Sequence, residues 1–142
     1  MDMAEQTYRR PIQSNEELEV YRIAFTLAQH LFEISKSFPR EETYSLTDQI
    51  RKSSRSVCAN IAEAWRKRRY EAAFVSKLND AEGEAAETQT WLKFSAGCGY
   101  LPEKVAEELW QEYNRVIGKI VVMIDNPDPW ILSKQRDRSS VR

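Results

Sequence analysis

One histidine, two cysteines, four glycines and five prolines are spread over 142 residues, and each scarcity excludes something. His30 stands without a Glu-x-x-His context. The paired Glu-x-x-His motifs of di-iron bundles are therefore missing, as is a multi-ligand zinc set. No metal and no cofactor are expected. Cys58 and Cys98 lie far apart and form no CxxC pair, so both are expected to be buried, reduced thiols of a cytoplasmic protein. No apolar run approaches the roughly 18–20 residues that cross a bilayer, so no membrane role is expected. The N-terminus begins acidic and lacks an apolar signal core, which argues against secretion. No stretch alternates with period two for long, so strands are not expected. No nucleophile, base and orienting group converge in the sequence, and an enzyme is not expected.

What remains is ordinary in bulk and informative in pattern. Hydrophobic residues make up 42% and charged residues 30%, with a net charge of −1. The length suits one domain. The few breakers divide the chain into four periodic segments: Pro39 after the first, Gly97 and Gly99 after the third, Pro127 and Pro129 after the last. Helix 1 is expected over 14–38, opening on a Ser14-Asn-Glu-Glu17 capping box. Helix 2 is expected over 46–68 with Ser45 as its N-cap, helix 3 over 70–96 and helix 4 over 102–125. Ser53, Ser54 and Ser56 permit a neighbouring helix to approach closely. The fold class is all-α, an antiparallel up-down-up-down four-helix bundle over residues 14–125. Residues 1–13 and 126–142 are read as flexible tails, the second basic through Lys134, Arg136, Arg138 and Arg142.

Helices 1 and 4 carry more apolar width than one-sided burial needs. On helix 1 the surplus is Leu18, Tyr21, Phe25 and Phe32; on helix 4 it is Tyr113 and Ile117. With Trp91 and Trp110 these residues are the candidate oligomer interface.

Charge is segregated along the chain. Residues 49–77 carry eight cations against Glu63 and Glu71; residues 80–112 carry eight acids against Lys93 and Lys104. Arg51, Lys52, Arg55, Arg66, Lys67, Arg68 and Arg69 form the candidate nucleic-acid surface, since aligned cations neutralise phosphates and release counterions. Trp65 and Tyr70 offer rings for stacking on unpaired bases. The alternative is that basic and acidic fields satisfy each other within the bundle or between subunits, in a structural scaffold or a protein-partner adaptor. Head-to-tail contacts of that kind close into rings when the rotation allows.

Tyr44-Ser-Leu-Thr-Asp-Gln-Ile-Arg-Lys-Ser53, Val57-Cys-Ala-Asn-Ile-Ala-Glu63 and Gly99-Tyr-Leu101 resemble the 23S rRNA-intervening-sequence proteins. Leu18-Glu-Val-Tyr-Arg-Ile-Ala24, the Phe38-Pro turn and Glu84-Ala-Ala-Glu-Thr-Gln89 fit the same pattern, so the resemblance covers about residues 16–125. It implies a bacterial four-helix bundle that assembles into a ring, commonly a homopentamer, without enzymatic activity. Related accessory proteins of diversity-generating retroelements bind nucleic acid and a reverse transcriptase through a basic pentameric barrel. Two positions depart from the pattern: Ala64 where the family often has glycine, and Pro102 where a serine-type cap is common. The expected partners are therefore further copies of the chain, RNA or DNA, or another protein.

Overall fold

The computed structural model describes residues 12–132. Among them are four α-helices and no strand: α1 (Glu19–Ser35), α2 (Leu46–Arg66), α3 (Glu71–Gly97) and α4 (Glu103–Asp125). Two single-turn 3-10 helices, Asn15–Glu17 and Arg40–Glu42, precede α1 and α2.

The first helix is shorter than its periodicity suggests. Ser14 Oγ accepts from the Glu16 N–H at 3.2 Å, but the turn it caps ends at Leu18, whose backbone is extended (φ −72°, ψ 130°). The break turns Leu18 into the core, where it is 5% exposed. At the other end, Arg51 of α2 donates to the Phe32 carbonyl at 3.3 Å and to Ser35 Oγ at 2.7 Å. A cation thus sits where the α1 dipole is negative, and a terminal carbonyl gains a donor.

Ser45 does not cap α2 as expected. Its hydroxyl donates to Glu42 Oε1 at 2.6 Å, and the same oxygen accepts the Leu46 N–H at 3.2 Å. The cap is therefore a carboxylate from the preceding turn, which also complements the positive end of the helix. α3 ends in a Schellman arrangement. The Tyr100 N–H reaches the Ser95 carbonyl at 2.9 Å and the Gly99 N–H reaches that of Ala96 at 3.0 Å. Gly99 holds φ +78°, a conformation that costs glycine little.

The core is continuous through all four helices, with Ile50, Val57, Ile61, Phe74, Leu78, Leu92, Tyr113, Val116 and Ile120 almost fully buried. α2 and α3 share the most extensive contact, α3 and α4 the next, and α1 is more lightly packed on α2 and α4. The α2–α3 seam is lined by Ser53, Ser54, Ala81 and Ala85, all buried. Inside it Thr88 Oγ1 donates to Ser53 Oγ at 2.8 Å. Glu19 near the start of α1 meets Lys119 late in α4 at 2.9 Å, and Gln89 late in α3 donates to the Trp110 carbonyl early in α4 at 3.1 Å.

Residues 126–132, read from the sequence as the start of a flexible tail, fold back instead. A turn closes with the Trp130 N–H on the Pro127 carbonyl at 2.9 Å, Ile131 is buried at 4% exposed, and the Leu132 N–H donates to the Arg68 carbonyl at 3.0 Å. Ile131 and the half-buried Trp130 join the core from this segment. Lys134, Arg136, Arg138 and Arg142, like residues 1–11, lie outside the described residues.

Candidate functional site

The seven cations of the candidate nucleic-acid surface divide into two groups. Arg51 and Arg66 are separated by ~22 Å along α2, at 1.5 Å per residue. Near the start of the helix, Arg51 is committed to the end of α1 and lies 4.6 Å from the Phe32 ring centroid. Arg55 covers the same ring at 5.4 Å, and Lys52 pairs with Asp48 at 3.3 Å. These three charges serve the fold and the local surface.

The second group sits where α2 stops. Arg68 is folded inward: its guanidinium stacks 3.5 Å from the Trp65 ring centroid and its Nε donates to the Trp65 carbonyl at 2.7 Å. Burial, and then neighbouring Arg66, lower its pKa. Trp65 lies beneath it and is 3% exposed, so it offers no face for stacking on a base. Arg66, Lys67 and Arg69 are exposed and make no ion pair among the described residues. Tyr70 stands beside them, 65% exposed. The stretch from Arg66 to Tyr70 therefore presents three exposed cations and one exposed aromatic ring.

Part of the charge complementarity is satisfied inside the protomer. Lys77 pairs with Glu63 at 2.8 Å and with Asp80 at 3.7 Å. The Lys77 hydrogen bond and charge hold the Glu63 carboxyl low, and Glu63 in turn raises Lys77. The acids beyond that pair are less well served. Glu84 is pushed up by burial first and then by Glu87 and Asp80. With Asn60, Asn79 and Gly83 these acids line a depression of about 560 Å³. No cluster of His, Cys, Asp or Glu among the described residues is arranged to hold a metal ion.

The candidate interface residues are scattered. Leu18 and Tyr113 are inside the protomer, Tyr113 completely, so neither has surface to offer a neighbour. Tyr21 and Phe25 stack at 6.1 Å with Phe25 48% exposed. Phe32 is half-buried under Lys36, Arg51 and Arg55. Trp91, Trp110 and Ile117 are half-buried, with Lys93 over the Trp110 ring at 5.5 Å.

Three features escaped the sequence. Tyr44 is 94% exposed and shares a groove of about 360 Å³ with Trp91, Phe94 and Cys98. Cys98, expected to be buried, is exposed there; only Cys58 is buried, its thiol pushed up to about 11 by desolvation. Glu42 accepts from Ser45, from the Leu46 N–H and from the Tyr100 hydroxyl at 2.8 Å. For the aromatic groove a signal was available, since Phe94 falls three residues after Trp91 on an exposed arc. For Glu42 there was none.

A family model described as the 23S rRNA-intervening sequence protein matches residues 16–122. The chain belongs to that family. A crystal structure of a protein with unknown function from the S23 ribosomal protein family of Bacteroides thetaiotaomicron is similar, with a TM-score of 0.68 at 26% identity. That match covers 75% of this chain and 96% of the other. No curated protein matches. The match of this 23S rRNA-intervening sequence family member takes in α1, α2, the α2–α3 turn, α3 and α4 as far as Val122, and stops short of the docked segment around Ile131.

Proposed function

We propose that this protein is a non-enzymatic, cytoplasmic nucleic-acid-associated adaptor, an antiparallel up-down-up-down bundle that works as a homo-oligomer. The observation that carries the reading is the α2–α3 turn: Arg66, Lys67 and Arg69, exposed and in no ion pair among the described residues, beside the open ring of Tyr70. Unpaired cations next to an aromatic face are the elements of a sequence-tolerant single-strand site. The contacts of Glu19 with Lys119, Arg51 with the end of α1, and Gln89 with Trp110 support alternating helix directions. A ring of five subunits is the assembly the family resemblance favours.

A salt titration of RNA and DNA binding tests the reading. Affinity should fall steeply with salt, and Arg66→Ala with Arg69→Ala should flatten that dependence. Absence of binding at low salt rejects it.

A second reading, a scaffold without nucleic-acid binding, draws on the exposed side chains of Phe25, Tyr44 and Phe94 and on the acidic faces of α3 and α4. Under it the same double variant loses its assembly in a solution mass measurement with no change in nucleic-acid affinity.

A further inference from the structure

We infer that Tyr44, standing clear of one end of the protomer, seats in the apolar slot between the start of α1 and the end of α4 of a second copy of this chain. The inference rests on the homo-oligomeric part of the reading above and names the two surfaces that meet.

The slot has a volume of about 540 Å³. Val20 and Met123, 4% and 5% exposed, are its buried base; half-buried Trp130 of the docked segment lines it, and Val122 stands 62% exposed beside it. Gly118 of α4 lines it too. A glycine inside a helix weakens that helix relative to alanine. A Cβ at Gly118 would meet no atom within 4 Å, so packing inside the protomer does not call for the glycine. Arg115 and Val122 lie three residues before it and four after it, on the same face of α4. The missing side chain leaves the space between them open to a group that arrives from outside.

Tyr44 is the group that fits. It is 94% exposed, the most exposed large apolar side chain among the described residues. Phe94, 55% exposed, and half-buried Trp91 flank it and widen the apolar patch. Tyrosine offers a large, stiff contact area and is enriched among the anchors of protein interfaces. Ring and slot do not meet within one protomer. Tyr44 lies just before α2, whose 21 residues run ~30 Å. Trp130 lies past the other end of α2, two residues before Leu132, whose N–H donates to the Arg68 carbonyl. A patch at one end that fits a different patch at the other joins copies head to tail.

The charges agree with the fit. Around Tyr44 the exposed turn carries Glu41 and Glu42 against Arg40. The slot carries Arg115 and Lys119 against Glu19. Lys119 holds Glu19 closely at 2.9 Å, whereas Arg115 has only longer contacts, 3.4 Å to Glu19 and 3.8 Å to Glu112. Strong charge-assisted bonds lie near 2.7–2.9 Å. Arg115 is therefore the less committed cation, placed to turn toward the acids that accompany an incoming Tyr44.

Sedimentation velocity over a concentration series compares the full chain with Tyr44→Ala and Gly118→Gln. Both positions are exposed, and far-UV circular dichroism checks that the helices persist. The full chain should sediment as a multiple of the protomer. Each variant should need about tenfold more protein to assemble, the loss expected of an interface anchor. Benzoylphenylalanine placed at Tyr44 should give a two-chain band on irradiation, with its adduct on residues 115–130 of the second copy. Gly118→Gln in the same chain should abolish that band.

If both variants assemble like the full chain and the adducts fall elsewhere, the Tyr44 contact is wrong and the homo-oligomeric reading stands. Adducts on Trp91 or Phe94 of the second copy would mean that the aromatic grooves meet face to face, which overturns the head-to-tail contact. Weakened assembly in Tyr44→Ala with full assembly in Gly118→Gln also overturns it, because the ring then seats elsewhere. A full chain that stays a single protomer at every concentration defeats this inference and the homo-oligomeric reading together.

Discussion

The Tyr100 hydroxyl donates to Glu42 Oε2 at 2.8 Å across 58 residues of sequence. The bond joins the loop before α2 to the loop after α3, at the opposite end of α2 from the Arg68–Leu132 contact. The other Glu42 oxygen caps α2, so one carboxylate both starts a helix and ties two connections together.

Stability should respond to pH at both limbs through this pair. Hydrogen bonds from Ser45, Tyr100 and the Leu46 N–H hold the Glu42 carboxyl below its ordinary value. Its contribution is present above the unfolded-state pKa and is lost as pH falls through the folded one. The Tyr100 phenol is pushed up to about 12, chiefly by its bond to Glu42. Its contribution is present below the ordinary tyrosine value of about 10 and is lost as pH rises toward 12. In thermal melts Glu42→Gln should flatten the acid limb and Tyr100→Phe the alkaline limb. A Tm profile unchanged by either substitution would remove the pair from the account.

Glu84 should behave in the opposite sense. Burial and the nearby Glu87 and Asp80 raise its carboxyl, so its charged form is disfavoured in the folded state and works against folding at neutral pH. Glu84→Gln should therefore raise the Tm near pH 7 and lose that advantage below the ordinary carboxylate range. Melts at pH 7 and pH 4 check it; equal shifts at both would count against the electrostatic cause.

Tyr113 carries a hydroxyl with no hydrogen-bond partner among the described residues, in a fully buried site. Removing that oxygen should cost nothing: Tyr113→Phe should be neutral or stabilising by up to ~1 kcal/mol. Tyr113→Ala should cost ~3–5 kcal/mol, because the ring fills the core. Urea denaturation of the two variants distinguishes the contributions. A Phe variant that is destabilised by more than ~1 kcal/mol would show that the hydroxyl is satisfied.

Ala81 and Ala85 of α3 are fully buried. Ala85→Leu should cost ~1–3 kcal/mol through overpacking. Thr88→Val should cost ~1 kcal/mol by leaving the Ser53 hydroxyl with only its long bond to the Ile50 carbonyl, 3.4 Å. Combined with Ser53→Ala, the second substitution should cost less than the sum, the mark of a direct contact in a double-mutant cycle.

Arg51 and the cations of the α2–α3 turn should separate cleanly. Arg51→Ala should lower stability by roughly 1–2 kcal/mol through loss of its bonds to Phe32 and Ser35. It should leave the salt dependence of nucleic-acid binding unchanged. A flattened slope for Arg51→Ala would mean that the whole basic stripe of α2 contacts the ligand.

Local signals in the chain were sufficient for the helices. Phe74, Leu78, Ala81, Ala85 and Leu92 fall on the stripe that periodicity marks out, and all are buried. Gly99 ends α3 where a left-handed residue is needed. The errors lie where distant partners decide. Ser45 looks like an N-cap until a carboxylate three residues upstream takes the position. Arg51 and Arg68 look like free cations, but one is drawn to the end of α1 and the other onto Trp65. Helical spacing alone does not distinguish a charge facing solvent from one bent over a neighbouring ring. Ile131 looked like part of a tail because a single buried residue after two prolines has no periodicity to reveal it.

The light packing of α1 sets an order of release. Its contacts with α2 and α4 are the sparsest in the bundle, and the ion pairs at its start, Glu19 with Lys119 and Arg115, are exposed. Amide protons of α1 should thus exchange with deuterium before those of the serine–alanine hairpin beside it, leaving a three-helix remnant as the first partly open form of the molecule.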